Sequence, residues 1–229
     1  MNYAIIAAGE GSRLSDEGIN LPKPLVEING IAMIKRLLDV FKQMHAQKII
    51  IIINESITEV KEYIESLNYE IPVIIKIKST PSSMHSLFEM KELIGNETFC
   101  VTTVDTIFKE NEFKTFIEFA SKQTDKDAVM GVTSYEDDEK PLYIKTIEDR
   151  IVEFSDIKSD SQFISGGIYY FKPSIWKILE QSISNGNQRM RNFQRDLLKA
   201  KLNIGFFEFS KIIDVDHVYD IKTAETFLM

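Results

Sequence analysis

Five consecutive isoleucines, Ile49 to Ile53, stand between Lys48 and Asn54. A β-branched run with no polar residue has no face to give to water, and it is far shorter than the ~20 residues of a membrane helix. It predicts a parallel strand over residues 48–54, covered on both faces by other elements. The flanking pattern supplies those elements. Residues 3–8 read as a strand, and residues 31–45 as a helix whose Ile34, Leu37, Leu38, Phe41 and Met44 form one apolar face. A helix follows over 56–67, with Ser56 as N-cap and Thr58, Val60 and Ile64 in register, then an alternating strand near a sheet edge at 73–78. Helices at 83–93 and 113–122 alternate with strands at 98–104 and 128–133. Strand and helix in alternation imply right-handed crossovers and a mostly parallel sheet.

The second half differs. Strands at 143–149 and 151–154 meet at the turn around Asp149 and Arg150, and a longer strand at 163–171 is interrupted by Gly166 and Gly167. Helices at 174–183, 190–200 and 217–228 enclose two short strands, 206–209 and 212–215. The charged run 136–140 reads as solvated surface, and no linker or repeat divides the chain.

The first strand opens into Gly9-Glu10-Gly11-Ser12-Arg13-Leu14, and Pro22-Lys23-Pro24-Leu25 comes shortly after. A glycine turn at a strand end exposes backbone N–H groups that can cradle phosphate oxygens, and Arg13 and Lys23 add two positive charges at the same mouth. Neither common phosphate loop fits. A dinucleotide fingerprint needs a third glycine where Leu14 stands, and no Gly-Lys-Ser or Gly-Lys-Thr occurs to hold a metal by its hydroxyl.

The two-part pattern resembles the signature of the nucleotidyltransferases that join a nucleoside triphosphate to a phosphorylated sugar or alcohol: Gly-x-Gly-x-Arg-Leu, a short loop, then Pro-Lys-Pro-Leu. The resemblance implies a single α/β domain over residues 1–229, a Rossmann-like three-layer sandwich with a mostly parallel mixed central sheet of the nucleotide-diphospho-sugar transferase type. A nucleotide-binding half (about 1–135) and an acceptor-binding half (about 136–229) would share that sheet. In such sheets ligands bind at the carboxyl ends of the strands, where Gly9, Ser79 and Asp105 all fall.

The resemblance also implies site residues. Arg13 and Lys23 would stabilise the triphosphate and its leaving group. Backbone groups of Ala8, Gly9, Glu10, Gly11 and Ser12 would hold phosphates and part of the base. Lys23, as a loop residue, is expected to matter more for turnover than for folding. Ser82, Ser83 and Ser86 stand where the family contacts base and sugar, although helix capping explains at least one of them equally well. Asp105 corresponds to the aspartate that binds metal at a strand end, with Val104 in place of the usual glycine. A second carboxylate is expected near the C-terminus, and two alignments give Asp216 or Asp214; strand alternation turns both to one face, with Asp216 preferred and Asp220 left as a first-turn helix residue. Mg2+ held by these carboxylates and the substrate phosphates is the implied cofactor. Gly166 and Gly167 resemble the family's Asn-x-Gly-x-Tyr segment lining the acceptor pocket, with a β-bulge as the alternative. Lys158 lies where many members carry a lysine for the acceptor phosphate, and a plain surface lysine explains it too.

Composition bounds the partners. The net charge of -8 argues against nucleic acid. The lone cysteine, Cys100, lies in an apolar run and reads as a buried small hydrophobe. The start carries no basic region, and no apolar run approaches membrane length, so the expectation is a cytoplasmic protein without a membrane partner. The implied partners are a nucleoside triphosphate and a phosphorylated small-molecule acceptor, with a homo-oligomer left open. A sugar 1-phosphate acceptor stands first; phosphocholine in a cytidylyltransferase, or a non-catalytic nucleotide-binding protein of the same fold, are the alternatives.

Overall fold

The structure, a computed structural model, describes residues 1–136 and 139–229. Asp137 and Asp138, inside the charged run read as solvated surface, lie outside the described residues. The chain opens with β1 (Asn2–Ala7), a short helix α1 (Ser12–Asp16), a 3-10 turn over Lys23–Leu25, the hairpin β2 (Glu27–Ile28) and β3 (Ile31–Ala32), and α2 (Met33–Gln43). Next come β4 (Lys48–Ile53), α3 (Thr58–Ser66), β5 (Val73–Ile77), α4 (Ser83–Glu89) and α5 (Lys91–Ile94). The first half closes with β6 (Phe99–Thr103), β7 (Thr106–Ile107), α6 (Glu110–Lys122) and β8 (Ala128–Thr133). The remainder is β9 (Tyr143–Ile147), β10 (Arg150–Ser155), β11 (Phe163–Phe171), α7 (Ile175–Ser184), α8 (Met190–Lys199), β12 (Ile204–Phe209), β13 (Ile213–Asp214) and α9 (Val218–Phe227).

All five isoleucines of β4 are fully buried. Ile49, Ile51 and Ile53 enter one core cluster and Ile50 and Ile52 the other, as the two-residue period of a strand requires. The first cluster packs under α2, α3, α6 and α9, the second under α4, α5, α7 and α8. Helices on both faces of one sheet make the three layers expected. At the centre β4 runs parallel to β1 and β5, and β1 runs parallel to β6. β5 forms the edge, as its alternating pattern suggested.

The second half joins this sheet through β11, which lies antiparallel to β6 and β8 and leads on to β9 and β10; β12 pairs parallel with β8. The sheet is therefore mixed, with its parallel core in the first half. β1, β4, β5 and β6 are parallel, so their carboxyl ends open on one side. Cys100 is fully buried in β6, as read from the sequence.

Three local readings change. Helix 56–67 begins at Thr58, with Ile57 rather than Ser56 at its N-cap. The Ser56 hydroxyl instead donates to Asn54 Oδ1 at 2.9 Å, because a nearby carboxamide competes for the capping serine. Helix 83–93 is two helices meeting at Met90, and the first residues of helix 31–45 belong to a hairpin. Two-residue strands such as β2, β3, β7 and β13 carry no hydrophobic period. No helix among the described residues is long and apolar enough to cross a membrane.

Ile51 is enclosed by both β-neighbours and by helices. Ile51→Val is expected to lower unfolding stability by about 0.5–1.5 kcal/mol and Ile51→Ala by about 2–5 kcal/mol. Urea unfolding should read this as a lower midpoint at unchanged m-value.

Candidate active site

Past the carboxyl ends of β1, β4, β5 and β6 lies a cavity of about 890 Å³, within the size range of small-ligand sites. The loop after β1 supplies Ala8, Gly9, Glu10, Gly11 and Ser12 to its wall, and Ser82, Ser83 and Ser86 line it from the start of α4. Ser82 is also the N-cap of α4, and its hydroxyl bonds His85 Nδ1 at 2.9 Å instead of capping. Ser86 shares a hydroxyl contact of 2.6 Å with Thr80. Gly11 has φ +65°, and a Cβ there would stand 2.9 Å from Lys23 Cβ. Glycine is thus required twice at this position, by the left-handed turn and by the close pass of Lys23.

Lys23 differs from the sequence reading. It is no accessible loop cation: its side chain is only 9% exposed, at the first position of the 3-10 turn. Its ammonium donates to Asp105 Oδ2 at 2.5 Å and to Asp216 Oδ1 at 2.6 Å. Arg13 donates to the other oxygen of Asp216 at 2.6 Å and lies 3.9 Å from Glu139. Three segments far apart in sequence meet on this ammonium. The short strand pair explains how. β7 and β13 align Thr106 with Asp214, and the Val215 amide donates to the Asp105 carbonyl at 3.1 Å. That pairing carries the carboxyl end of the chain back beside Asp105. Asp220, buried in the first turn of α9, accepts from the backbone N–H groups of Asp216 and His217 at 2.9 and 2.7 Å and fixes the turn.

Burial pushes the Asp105 carboxyl up, and the Lys23 ammonium more than offsets this, so Asp105 titrates below the ordinary carboxylate range. Burial likewise pulls the Lys23 ammonium down, and the two carboxylates together raise it above its usual value.

Asp216 and Arg13 also line a second, narrow cleft of about 30 Å³ with Tyr135, Glu139, Gly166, Asp214 and Tyr219. Asp214 accepts from Thr106 Oγ1 at 3.3 Å and faces this cleft, whereas Asp105 faces only the larger cavity. The structure therefore brings Asp105 and Asp216 together and sets Asp214 apart. The register of β11 on β8 shifts between Ser165 and Ile168, so the bulge reading of the glycines holds. Gly166 nonetheless lines the cleft, and Gly167, with φ +70°, turns against Thr103 and Thr106. Lys158 is outside the lining of both spaces; it is 61% exposed, pairs with Glu136 and lies 6.0 Å from the Tyr143 ring centre.

Two residues escaped the sequence reading. Asn54 follows β4 into the cavity wall. Its amide donates to the Ala8 carbonyl at 3.3 Å, and its oxygen accepts from Ser56 and Ser79, tying three strand-end loops together. A polar residue directly after a buried run at the ligand end of a sheet was the available signal. Glu17 pairs with His217 Nδ1 at 2.5 Å and accepts the Val218 N–H at 2.7 Å, which joins the glycine loop's helix to α9.

The sequence profile described as "Nucleotidyl transferase" matches residues 3–222. The chain belongs to this family. A probable glucose-1-phosphate cytidylyltransferase of Bacillus subtilis is 24% identical over 202 residues, which cover 78% of each chain. The bifunctional protein GlmU of Thermodesulfovibrio yellowstonii is 24% identical over 216 residues, 90% of this chain and 46% of that one. The chain thus spans about half the length of the bifunctional relatives it matches. Among solved structures, the inositol-1-phosphate CTP transferase from T. maritima superposes with TM-score 0.83 at 14% identity, over 100% of this chain and 97% of that one. A putative glucose-1-phosphate thymidylyltransferase from Bacillus anthracis gives 0.85 at 19% identity, over 99% and 94% of the two chains. At these identities the superpositions establish the fold.

The triad of charges sets a pH dependence. Asp105, with its depressed pKa, contributes stability that is present above about pH 4, its unfolded value, and is lost as pH falls through the folded value. Lys23, with its raised pKa, contributes fully below about pH 10 and loses its contribution as pH rises through the folded value. Lys23→Met should therefore cost folding stability. The expected loss at pH 7 is roughly 1–3 kcal/mol, less than for a fully buried pair because Asp216 is 38% exposed. Urea unfolding should find that deficit narrowing as the pH is lowered toward 4, where the stranded Asp105 carboxylate protonates.

Proposed function

We propose that this chain transfers a nucleotidyl group from a nucleoside triphosphate to a phosphorylated small molecule, with a sugar 1-phosphate as first candidate, and releases pyrophosphate. The observation that carries this reading is the Lys23 ammonium held between Asp105 and Asp216, at the wall separating a nucleotide-sized cavity from a second cleft. Asp216 and Arg13 line both spaces, so groups bound in each would meet across them.

In the reaction an acceptor phosphate oxygen forms a bond to the α-phosphorus, the bond from that phosphorus to the bridging oxygen breaks, and pyrophosphate leaves with the electron pair. The acceptor phosphate is ionised at neutral pH, so no general base is needed. The task of the protein is alignment and charge. The loop from Ala8 to Ser12 would hold the phosphates, and Lys23 and Arg13 would exchange carboxylate partners for phosphate oxygens. Ser82, Ser83 and Ser86 would face the base and sugar.

Among the described residues no three acidic, histidine or cysteine groups form a ready-made cage. Two carboxylates bridged by one cation suit Mg2+, the hard ion that takes one or two carboxylates and completes its shell with substrate phosphates. Asp105 and Asp216 would hold it, and it would supply charge neutralisation at the α-phosphate. On the acceptor side, Gly166 and Asp214 line the cleft. The relatives name cytidylyl, guanyl and thymidylyl transfer, and all act on phosphorylated sugars or polyols by their names. A quaternary-ammonium cage has less support: Tyr135 and Tyr219 line the cleft, but the Lys211 ammonium already lies 3.8 Å from the Tyr135 ring centre.

The test begins with thermal unfolding in Mg2+ and each of CTP, UTP, dTTP and GTP. A triphosphate at ~100 times its dissociation constant should add about 2.7 kcal/mol, a rise of roughly 5–10 °C for a chain of this size. No rise with any of them would sink the reading. With the preferred triphosphate and a panel of sugar 1-phosphates, pyrophosphate release should fall at least ~10²-fold in Asp105→Asn, the scale of a lost charge-stabilising group. Asp216→Asn should be more damaging than Asp214→Asn; the reverse order would make Asp214 the direct ligand.

A further inference from the structure

Across α9 from the Asp216 turn lies an open groove of about 490 Å³, lined by Lys211, Lys222, Tyr219, Thr223, Thr226 and Phe227. The Lys211 ammonium lies 5.6 Å from the centre of the Phe227 ring, and the Lys109 ammonium 5.1 Å from the same centre. Lys211 also rests on the Tyr135 ring. Among the described residues none of these three lysines pairs with a carboxylate. The Lys109 and Lys211 ammoniums face one aromatic ring, and Lys222 lines the same groove.

The donors define what could. The Thr223 and Thr226 hydroxyls already donate to the carbonyls of Tyr219 and Lys222 at 3.1 and 2.9 Å. The groove lies along the carboxyl half of α9, where the helix dipole does not favour an anion. Any anion bound here is therefore held by ammonium groups, each with three donors, over an apolar floor. Two or three ammoniums without geometric constraint suit a compact dianion better than a single carboxylate. The groove is continuous with the narrow cleft: Tyr219 lines both, Ile212 of the cleft adjoins Lys211, and Tyr135 of the cleft carries Lys211 on its ring.

We propose that Lys211 and Lys222, with Lys109 across the Phe227 ring, form a second anion site that takes a phosphate group of a small molecule. The site is separate from the glycine loop and stands whether or not the chain turns over a nucleotide. Two sources share this chemistry: a second phosphate on the molecule lodged in the adjoining cleft, or a separate phosphorylated ligand.

The test is a titration of the full chain with inorganic phosphate, followed by backbone amide NMR at constant ionic strength with chloride as control. Amides of Thr223, Thr226 and Phe227 should shift and saturate. In Lys211→Gln/Lys222→Gln the affinity read at those amides should fall on the order of tenfold, the loss of charge-assisted bonds, while amides of Gly9 to Ser12 respond as before. Shifts confined to the glycine loop, shifts matched by chloride, or no change in the double variant would overturn the proposal. Steady-state kinetics with the acceptor then separates the sources. A raised acceptor KM at unchanged kcat in the double variant points to a second phosphate on the acceptor. An unchanged KM with phosphate binding lost points to a separate ligand.

Discussion

One ammonium organises the carboxyl end of this sheet. Lys23 joins the loop after β1 to Asp105 after β6 and to Asp216 before α9, and no other described contact holds all three segments at once. Two carboxylates that close together repel unless a cation lies between them. The backbone pairing of β7 with β13 brings them together, and Lys23 makes the approach tolerable. Gly11 makes Lys23 possible, since any side chain there would meet it. The glycine that looks like a phosphate-loop residue also admits the cation that lies between the two carboxylates.

This arrangement resolves an electrostatic difficulty. A chain of net charge -8 repels a triphosphate at long range. Locally, the proposed reaction would require the same site to present carboxylates to a divalent cation and cations to phosphates. Pairing them with each other keeps the groups in place. The hydrogen bonds that Asp220 accepts from the Asp216 turn, that Glu17 accepts from α9 and that Asn54 makes with the strand-end loops hold this end of the sheet together.

Much of this was legible in the sequence. The isoleucine run dictated a strand buried on both faces, and Gly9, Ser79 and Asp105 fell at strand ends that share one crevice. These readings rest on local pattern, and local pattern survives in the fold. What did not transfer was long-range register. Asp214 and Asp216 are equivalent by strand alternation; only the pairing of Thr106 with Asp214 decides which reaches Asp105. Lys158, for which a surface reading also stood, lies in the segment after β10 and pairs with Glu136. Lys23 looked exposed because a proline-rich loop usually is, and its burial depends on two carboxylates more than 80 and 190 residues away.

The same register argument explains why the two spaces communicate. β11 enters antiparallel beside β6, so its early residues, not its late ones, reach the carboxyl ends of the parallel strands. Ser165 and Gly166 arrive there, and the bulge turns Gly167 against Thr103 and Thr106. Had β11 run parallel, Phe171 would stand at that edge, and an aromatic core residue would close the cleft. The antiparallel entry of the second half is therefore what brings two lined spaces to one side of the sheet. The C-terminal turn at Asp216 is the only described acidic segment that borders both. A carboxylate at that boundary can be shared between a group in the large cavity and a group in the cleft, and the topology, more than any single residue, makes that sharing available.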